Sequence, residues 1–165
     1  MDAFIALGAN LGDPAAQVEQ AIAELDRLPD TRLLARSALY LSQAEGYLAQ
    51  PDFVNAVVAV STRLAPRTLL QALLEIEARH GRRREFKNAP RTLDLDLLLF
   101  DGLVLHEPGL TLPHPRLCER RFVLQPLHEI APDQPIPGRG SVAECLALLP
   151  SIALQRLPRS GFDAG

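Results

Sequence analysis

The feature that most constrains the fold is the stretch 93–100, where leucines alternate with two acidic residues before the chain becomes wholly apolar. Alternation with a period of two predicts a β-strand, and the apolar run after it predicts a strand buried on both faces. Asp94 and Asp96 then point to one face, about 6.5–7 Å apart along the backbone. Two like charges there need a counter-charge, and paired carboxylates suit a hard cation such as Mg²⁺. A solvated sheet face that carries two acids is the alternative interpretation.

Hydrophobic periodicity elsewhere predicts strands over 3–7, 33–41 and 53–62 and helices that begin at Pro14, capped by Asp13, and at Pro66. The buried face of the second helix is predicted to comprise Leu69, Leu70, Leu73, Leu74 and Ile76. With the strand at 93–100, the order is βαββαβ. This order predicts an α+β, ferredoxin-like sandwich, with an antiparallel sheet and its helices on one sheet face.

The C-terminal part is predicted to add two helices, over 118–128 and 141–149. We expect one domain over 1–150 and a C-terminal extension over 151–165, with a frayed tail at 156–165. The glycines Gly8 and Gly12 could bring backbone N–H groups to a phosphate, but a strand-to-helix turn is the simpler interpretation.

Composition narrows the possible functions. The net charge of −3 argues against a general nucleic-acid binder. The P-loop motif is absent and Lys87 is the only lysine, so any phosphate is expected to be held by arginine. The cysteines, Cys118 and Cys145, lie in unrelated contexts and suggest no disulfide framework. No leader pattern or apolar run of about 20 residues is visible, so we expect a cytoplasmic protein without a membrane partner.

Two basic clusters flank the acidic strand in sequence. Residues 79–91 form the most cationic stretch and directly precede it, and Arg120 and Arg121 follow His114 in the second cluster. A solvated charge run or a surface pair would explain either cluster alone, and His114 with Cys118 is too few ligands for zinc. Together with Asp94 and Asp96, the arginines favour metal-assisted phosphoryl chemistry.

Several ordered motifs resemble one family, that of 6-hydroxymethyl-7,8-dihydropterin pyrophosphokinase, from about residue 3 to residue 150. The motifs are Ile5-Ala-Leu-Gly8-Ala-Asn10-Leu-Gly12, Gln50-Pro-Asp52-Phe53-Val-Asn55, Glu75-Ile-Glu77, Gly81-Arg82-x-Arg84, Pro90-Arg91-Thr-Leu-Asp94-Leu-Asp96, Leu112-Pro-His114-Pro and Arg120-x-Phe122-Val-Leu-x-Pro126-Leu. The resemblance implies transfer of the β,γ-diphosphate of ATP to the hydroxymethyl group of the pterin, with release of AMP, in folate biosynthesis.

The resemblance also implies roles for individual residues. Asp94 and Asp96 would hold two Mg²⁺ ions and, with Arg82 and Arg91, would form the catalytic group. ATP would be bound by a larger set, which comprises Glu77, Arg82, Arg84, Arg91, His114 and Arg120. The pterin would lie between Phe53 and Phe122, with Asn55 reading its amide edge and Ser42 beside it. The substrates ATP and pterin would be the partners of a monomer that binds no nucleic acid.

Some residues depart from the family pattern. Ser42-Gln43-Ala44-Glu45 stands where the family commonly has Thr-x-Pro or Thr-Pro-Pro, and Asn88-Ala89 stands where some members have tryptophan and glycine. Taken alone, Phe53 and Phe122 also fit core residues. Two rivals remain: another two-metal phosphoryl- or nucleotidyl-transferase, and an RNA-binding module of the same strand order, which would need exposed aromatics and a basic face.

Overall fold

The computed structural model describes residues 1–42, 53–81, 93–151 and 154–158. Its main sheet is built from β1 (Asp2–Ala9), β2 (Thr31–Arg36), β3 (Tyr40–Ser42), β4 (Phe53–Thr62), β5 (Asp94–Phe100) and β10 (Gln155–Arg156). The helices are α1 (Pro14–Asp26), α2 (Pro66–Arg79), α3 (Arg121–Ile130) and α4 (Val142–Ala147). Two small hairpins complete it, formed by β6 (Leu105–Glu107) with β7 (Leu110–Leu112) and by β8 (Pro135–Ile136) with β9 (Gly140–Ser141).

The strand order of the sheet is β10-β3-β4-β1-β5, with β2 also paired to β4, and every pairing is antiparallel. This arrangement confirms the α+β, ferredoxin-like fold predicted from the order of elements. The predicted strand over 33–41 is two strands, because Ser37 interrupts the ladder. Its hydroxyl accepts the Val57 N–H at 3.0 Å while its own N–H donates to the Val57 carbonyl at 2.9 Å.

The two faces of the sheet carry separate cores because successive strand residues point to opposite sides. Val54, Ala56, Val58 and Val60 of β4 pack with α1 and α2, whereas Val57 and Ala59 pack with α3 and α4. The two helices of the βαββαβ unit therefore share one face, as predicted, and the C-terminal additions cover the other.

The helix starts follow from local chemistry. Asp13 caps α1 by accepting the Ala16 N–H at 3.2 Å, and Pro14 occupies the first helical position, as predicted. The second helix also begins at its predicted proline, Pro66. The prediction that Leu74 of α2 is buried was wrong, since this residue is 43% exposed.

The C-terminal region differs in detail from the prediction. The helix predicted over 118–128 is a 3₁₀ turn (Leu117–Glu119) followed by α3, because Arg120 between them adopts an extended backbone. The helix predicted over 141–149 is shorter, and Ser141 and Glu144 cap its start reciprocally. Arg156, predicted to lie in a frayed tail, pairs with Tyr40 in the sheet, and 159–165 lie outside the described residues. No helix within the described residues is long and apolar enough to cross a bilayer.

Candidate active site

A single row of residues crosses four strands at one end of the sheet. Asp94 lies opposite Gly8, Gly8 opposite Asn55, and Asn55 opposite Tyr40. Residues directly opposite one another in a sheet share a face, so Asp94, Asn55 and Tyr40 point the same way. Two strand spacings separate Asp94 from Asn55, or roughly 10 Å. The acidic pair and the buried amide, which are distant in sequence, therefore belong to one surface.

Asp94 and Asp96 are both half-buried, and Asp96 lies next to His114. The distance between His114 Nε2 and Asp96 Oδ1 is 3.8 Å. His114 Nδ1 accepts the backbone N–H of Arg116 at 3.1 Å, so the proton of the neutral imidazole lies on Nε2, which faces the aspartate. Burial lowers the pKa of His114, and the nearby guanidinium groups of Arg120 and Arg116 lower it further, against the opposing effect of Asp94. The neutral ring therefore presents an N–H donor toward the acidic pair.

A backbone hydrogen bond fixes the position of His114. The backbone N–H of His114 donates to the carbonyl of Leu98 at 2.9 Å, which ties the segment after β7 to the acidic strand. The peptide bond between Leu112 and Pro113, just before it, is cis. This backbone hydrogen bond to β5 thus brings the second sequence cluster beside the acidic strand.

The carboxylates suit magnesium by their chemistry. Both are hard oxygen donors on one strand face, and Mg²⁺ is commonly held by one or two carboxylates together with substrate phosphates. Within the described residues, no group of three or more His, Cys, Asp or Glu side chains could hold a metal. A pair of carboxylates can share such a cation with the oxygens of a phosphate ligand.

Asn55 is fixed between two strands. It is 6% exposed, and its Nδ2 donates to Ser42 Oγ at 2.7 Å. On the opposite side, its Oδ1 would lie 3.3 Å from a Cβ built on Gly8, and Phe53 Cδ1 would lie 4.0 Å from the same point. Three of the predicted pterin residues, Ser42, Phe53 and Asn55, are therefore together, and Gly8 leaves room for the amide.

Gly8 was predicted to lie in the turn between the first strand and the first helix. In the structure it lies inside β1, which extends to Ala9. Its role beside Asn55 was missed, although a glycine within a strand is a known signal of close approach by another group.

Arg120 and Phe122 lie at the junction of the 3₁₀ turn and α3. The guanidinium carbon of Arg120 is 5.6 Å from the centre of the Phe122 ring, within the range of a cation–π contact. Arg120 Nε is buried and has no hydrogen-bond partner within the described residues. Phe122 is half-buried at the edge of the core that α3 forms with the sheet.

Glu77, predicted to bind ATP, is only 3% exposed. Its Oε2 accepts the N–H of Leu95 at 2.7 Å, between the two aspartates. The predicted arginines Arg82, Arg84 and Arg91 lie outside the described residues.

Sequence reasoning missed two contacts made by α3 and α4. Tyr40 donates its hydroxyl to Glu129 of α3 at 2.6 Å, and the same carboxylate accepts the Ala38 N–H at 3.1 Å, which anchors α3 to the strands. The two cysteines, expected in unrelated contexts, are free thiols whose sulfurs lie 3.5 Å apart because α4 packs against the 3₁₀ turn. Burial, reinforced by Cys145, raises the pKa of Cys118 to about 11, so this thiol stays protonated.

Comparison with protein families shows a match that covers most of the chain. The family model described as 7,8-dihydro-6-hydroxymethylpterin-pyrophosphokinase (HPPK) matches residues 4–132. A 2-amino-4-hydroxy-6-hydroxymethyldihydropteridine pyrophosphokinase from Pseudomonas aeruginosa is 46% identical over 155 residues, which cover 94% of this chain and 96% of that protein. The protein of the same name from Methylorubrum extorquens is 43% identical, over 94% of this chain and 98% of that one.

Solved structures show the same fold at low identity. A crystal structure of wild-type Plasmodium falciparum HPPK-DHPS with pteroate aligns with a TM-score of 0.70 and 13% identity. The alignment covers 88% of this chain and 42% of that longer one.

Proposed function

The chain belongs to the 7,8-dihydro-6-hydroxymethylpterin-pyrophosphokinase family and is an ATP-dependent pyrophosphokinase, and on that premise we propose that it transfers the β,γ-diphosphate of ATP to the hydroxymethyl group of 6-hydroxymethyl-7,8-dihydropterin. The hydroxymethyl oxygen attacks the β-phosphorus while the bond from that phosphorus to the α,β-bridging oxygen breaks. AMP leaves with that oxygen, and the alcohol proton is released. The product would serve folate biosynthesis.

One observation carries the proposal: the acidic pair and the buried Asn55 share one sheet face, with Gly8 between Asp94 and Asn55. The hydroxymethyl group that accepts the diphosphate must lie next to the metal-bound triphosphate while a recognition site holds the flat pterin ring. The separation of roughly 10 Å between the two sites leaves room for a hydroxymethyl group beside a phosphate. This juxtaposition would bring the two reacting groups together, and orientation of this kind contributes much of the acceleration in such reactions.

Asp94 and Asp96 would hold the cations, which we propose to be two Mg²⁺ ions. Bound there, Mg²⁺ would neutralise phosphate charge and lower the pKa of the substrate alcohol. The half-buried position of both carboxylates supports this role, since it keeps them partly desolvated and close to the sheet. His114, with its N–H directed toward Asp96, would donate a hydrogen bond to that carboxylate or to a phosphate oxygen beside it.

We propose that Asn55 recognises the pterin. A carboxamide offers both a donor and an acceptor to the amide edge of a pterin. Ser42 fixes which way the carboxamide faces, because its Oγ receives Nδ2. Phe53 and Phe122 would stack on the two faces of the ring, and Arg120, held above Phe122, would contact the nucleotide.

Arg82 and Arg91 are proposed to stabilise the charge that develops at the phosphorus under attack, and Arg84 to bind ATP. These roles rest on the family motif alone, since all three residues lie outside the described part of the chain. We also propose that the enzyme acts as a cytoplasmic monomer. Light scattering of the purified protein tests the monomer directly, and a dimer mass at micromolar concentration would refute it.

The decisive experiment is a product analysis with ATP, Mg²⁺ and 6-hydroxymethyl-7,8-dihydropterin. We expect AMP and the pterin diphosphate in equal amounts, no AMP when the pterin is omitted, and no reaction when EDTA removes the cation. Release of ADP would indicate transfer of one phosphoryl group, and release of pyrophosphate would indicate nucleotidyl transfer. Either result would refute the proposed reaction.

A further inference from the structure

Glu77 is a carboxylate held inside the protein, on the helix that packs beside the acidic strand. It is 3% exposed, and its neighbour Ile76 and the residue four positions earlier, Leu73, belong to the core between α2 and the sheet. A buried carboxylate is costly unless hydrogen bonds satisfy it. The Leu95 N–H supplies one such bond, at 2.7 Å, and hydrogen bonds to a charged acceptor are the strong class.

The position of this bond in the sheet gives it a further consequence. β5 pairs with β1 alone among the described residues, so its other edge has no strand partner there. Glu77 supplies to Leu95 the acceptor that a further strand would have supplied. The bond lies near the start of β5, because the strand begins at Asp94. Strand ends are the places where pairing is weakest.

Leu95 is the residue between the two aspartates. The φ and ψ of Leu95 help to set how the backbones of Asp94 and Asp96 are placed relative to one another, and Leu95 itself is 4% exposed in the core. A metal site works only when its ligands are held to within about 0.5 Å and 10–20°. The side chain of Leu95 is fixed by packing and its N–H by Glu77.

We propose that Glu77 is a positioning residue that fixes the backbone between Asp94 and Asp96 and thereby sets the geometry of the two carboxylates for their divalent cation. The proposal rests on the proposed function, which makes these aspartates the cation ligands. It differs from the role that the family resemblance implies for Glu77, which is direct contact with ATP. The two roles predict different losses when the residue is changed.

The test uses two variants and one matched control. Glu77→Leu has similar volume but cannot accept the Leu95 N–H. Glu77→Gln keeps one acceptor oxygen for that N–H and replaces the other oxygen with an uncharged NH2 group. The control is Glu75→Leu, the same change two residues earlier at an exposed position of the same helix. For each protein, the measurements are the Mg²⁺ concentration for half-maximal turnover, the ATP dissociation constant in EDTA, and hydrogen exchange at the Leu95 amide.

We expect Glu77→Leu to raise the half-maximal Mg²⁺ concentration by about tenfold and to speed exchange at Leu95, with ATP binding in EDTA unchanged. Glu77→Gln should restore most of both properties, and Glu75→Leu should match the parent. An unchanged Mg²⁺ requirement in Glu77→Leu would overturn the proposal, as would an equal loss of ATP affinity in EDTA, which indicates nucleotide contact.

Two further outcomes keep the test decisive. If Glu77→Leu fails to fold, Glu77→Gln decides: exchange at Leu95 and a Mg²⁺ requirement both close to those of the parent support an acceptor role, and slow turnover at saturating Mg²⁺ with normal exchange overturns it. A parent enzyme that needs no divalent cation would refute the proposed function itself. That result is separate from any outcome at Glu77.

Discussion

Replacing Gly8 by alanine tests whether the open space beside Asn55 serves the acceptor site. The new methyl carbon would lie 3.3 Å from Asn55 Oδ1 and 4.0 Å from Phe53 Cδ1. The amide cannot retreat directly, because its other end is already 2.7 Å from Ser42 Oγ. It must rotate, and the donor and acceptor that it offers to the pterin rotate with it.

The expected magnitudes separate binding from folding. The loss of one well-aligned hydrogen bond corresponds to about 0.5–1.5 kcal/mol, or roughly a two- to tenfold weaker pterin affinity. The free energy of unfolding should change by less than about 1 kcal/mol, because alanine restricts the unfolded chain and this gain of about 0.4–1 kcal/mol offsets the tight contact. ATP affinity should not change.

The assay is the KM for the pterin alcohol and for ATP, with thermal unfolding measured in parallel. Gly102→Ala is the control, because a Cβ there meets nothing within 4 Å and the residue lies past the opposite end of β5 from Asp94. A Gly8→Ala enzyme with the parental KM for the pterin would refute the reasoning. An equal rise in both KM values would also refute it.

Three further substitutions test individual structural contacts through stability. Tyr40→Phe removes the hydroxyl that donates to Glu129 and should cost roughly 1.5–3 kcal/mol at neutral pH. Because burial and the hydrogen bond to Glu129 raise the pKa of Tyr40 from 10.0 to about 12, the tyrosine stabilises the fold fully below pH 10. The difference between parent and variant should therefore shrink from pH 10 to 12 in denaturant titrations, and a constant difference would contradict the assignment. Ser42→Ala leaves Asn55 Nδ2 buried without its acceptor and should cost about 1–3 kcal/mol in the same titrations, so an unchanged midpoint would count against that bond. Asp13→Ala removes the cap of α1 and should cost about 0.5–2 kcal/mol by thermal unfolding with the KM values unaltered; an unshifted melting temperature would show that the cap is dispensable.

The order of strands and helices was predictable because hydrophobic periodicity follows directly from burial on one or two faces. The interruption at Ser37 was not predictable, because its hydroxyl replaces a backbone acceptor while the apolar pattern continues on either side. A side-chain hydroxyl that accepts a backbone N–H in place of a carbonyl does not change the hydrophobic periodicity of the sequence.

The burial of Glu77 had a signal that the prediction did not use. Glu77 is four residues after Leu73 and eight after Leu69, so helical spacing places it on the buried face, whereas Leu74 lies off that face and is exposed. A carboxylate on an apolar helix face indicates a buried acceptor. Its donor, Leu95, could not be read from sequence, since the pairing depends on how α2 packs beside β5.

The contact between Cys118 and Cys145 and the anchor from Glu129 to Tyr40 both join segments that are far apart in the chain. Their residue types carry no periodic pattern that would link them. Such contacts follow from how α3 and α4 pack on the second sheet face, which local sequence preference does not determine.

The central claim is that Asp94 and Asp96 together bind the divalent cation that activates the nucleotide. The direct measurement is anomalous scattering from crystals grown with Mn²⁺ and a non-hydrolysable ATP analogue, for the parent and for Asp96→Asn. We predict Mn²⁺ peaks within bonding distance of both carboxylates in the parent and loss of at least one peak in the variant. A parent crystal that contains the nucleotide but has no Mn²⁺ at either aspartate would contradict the account.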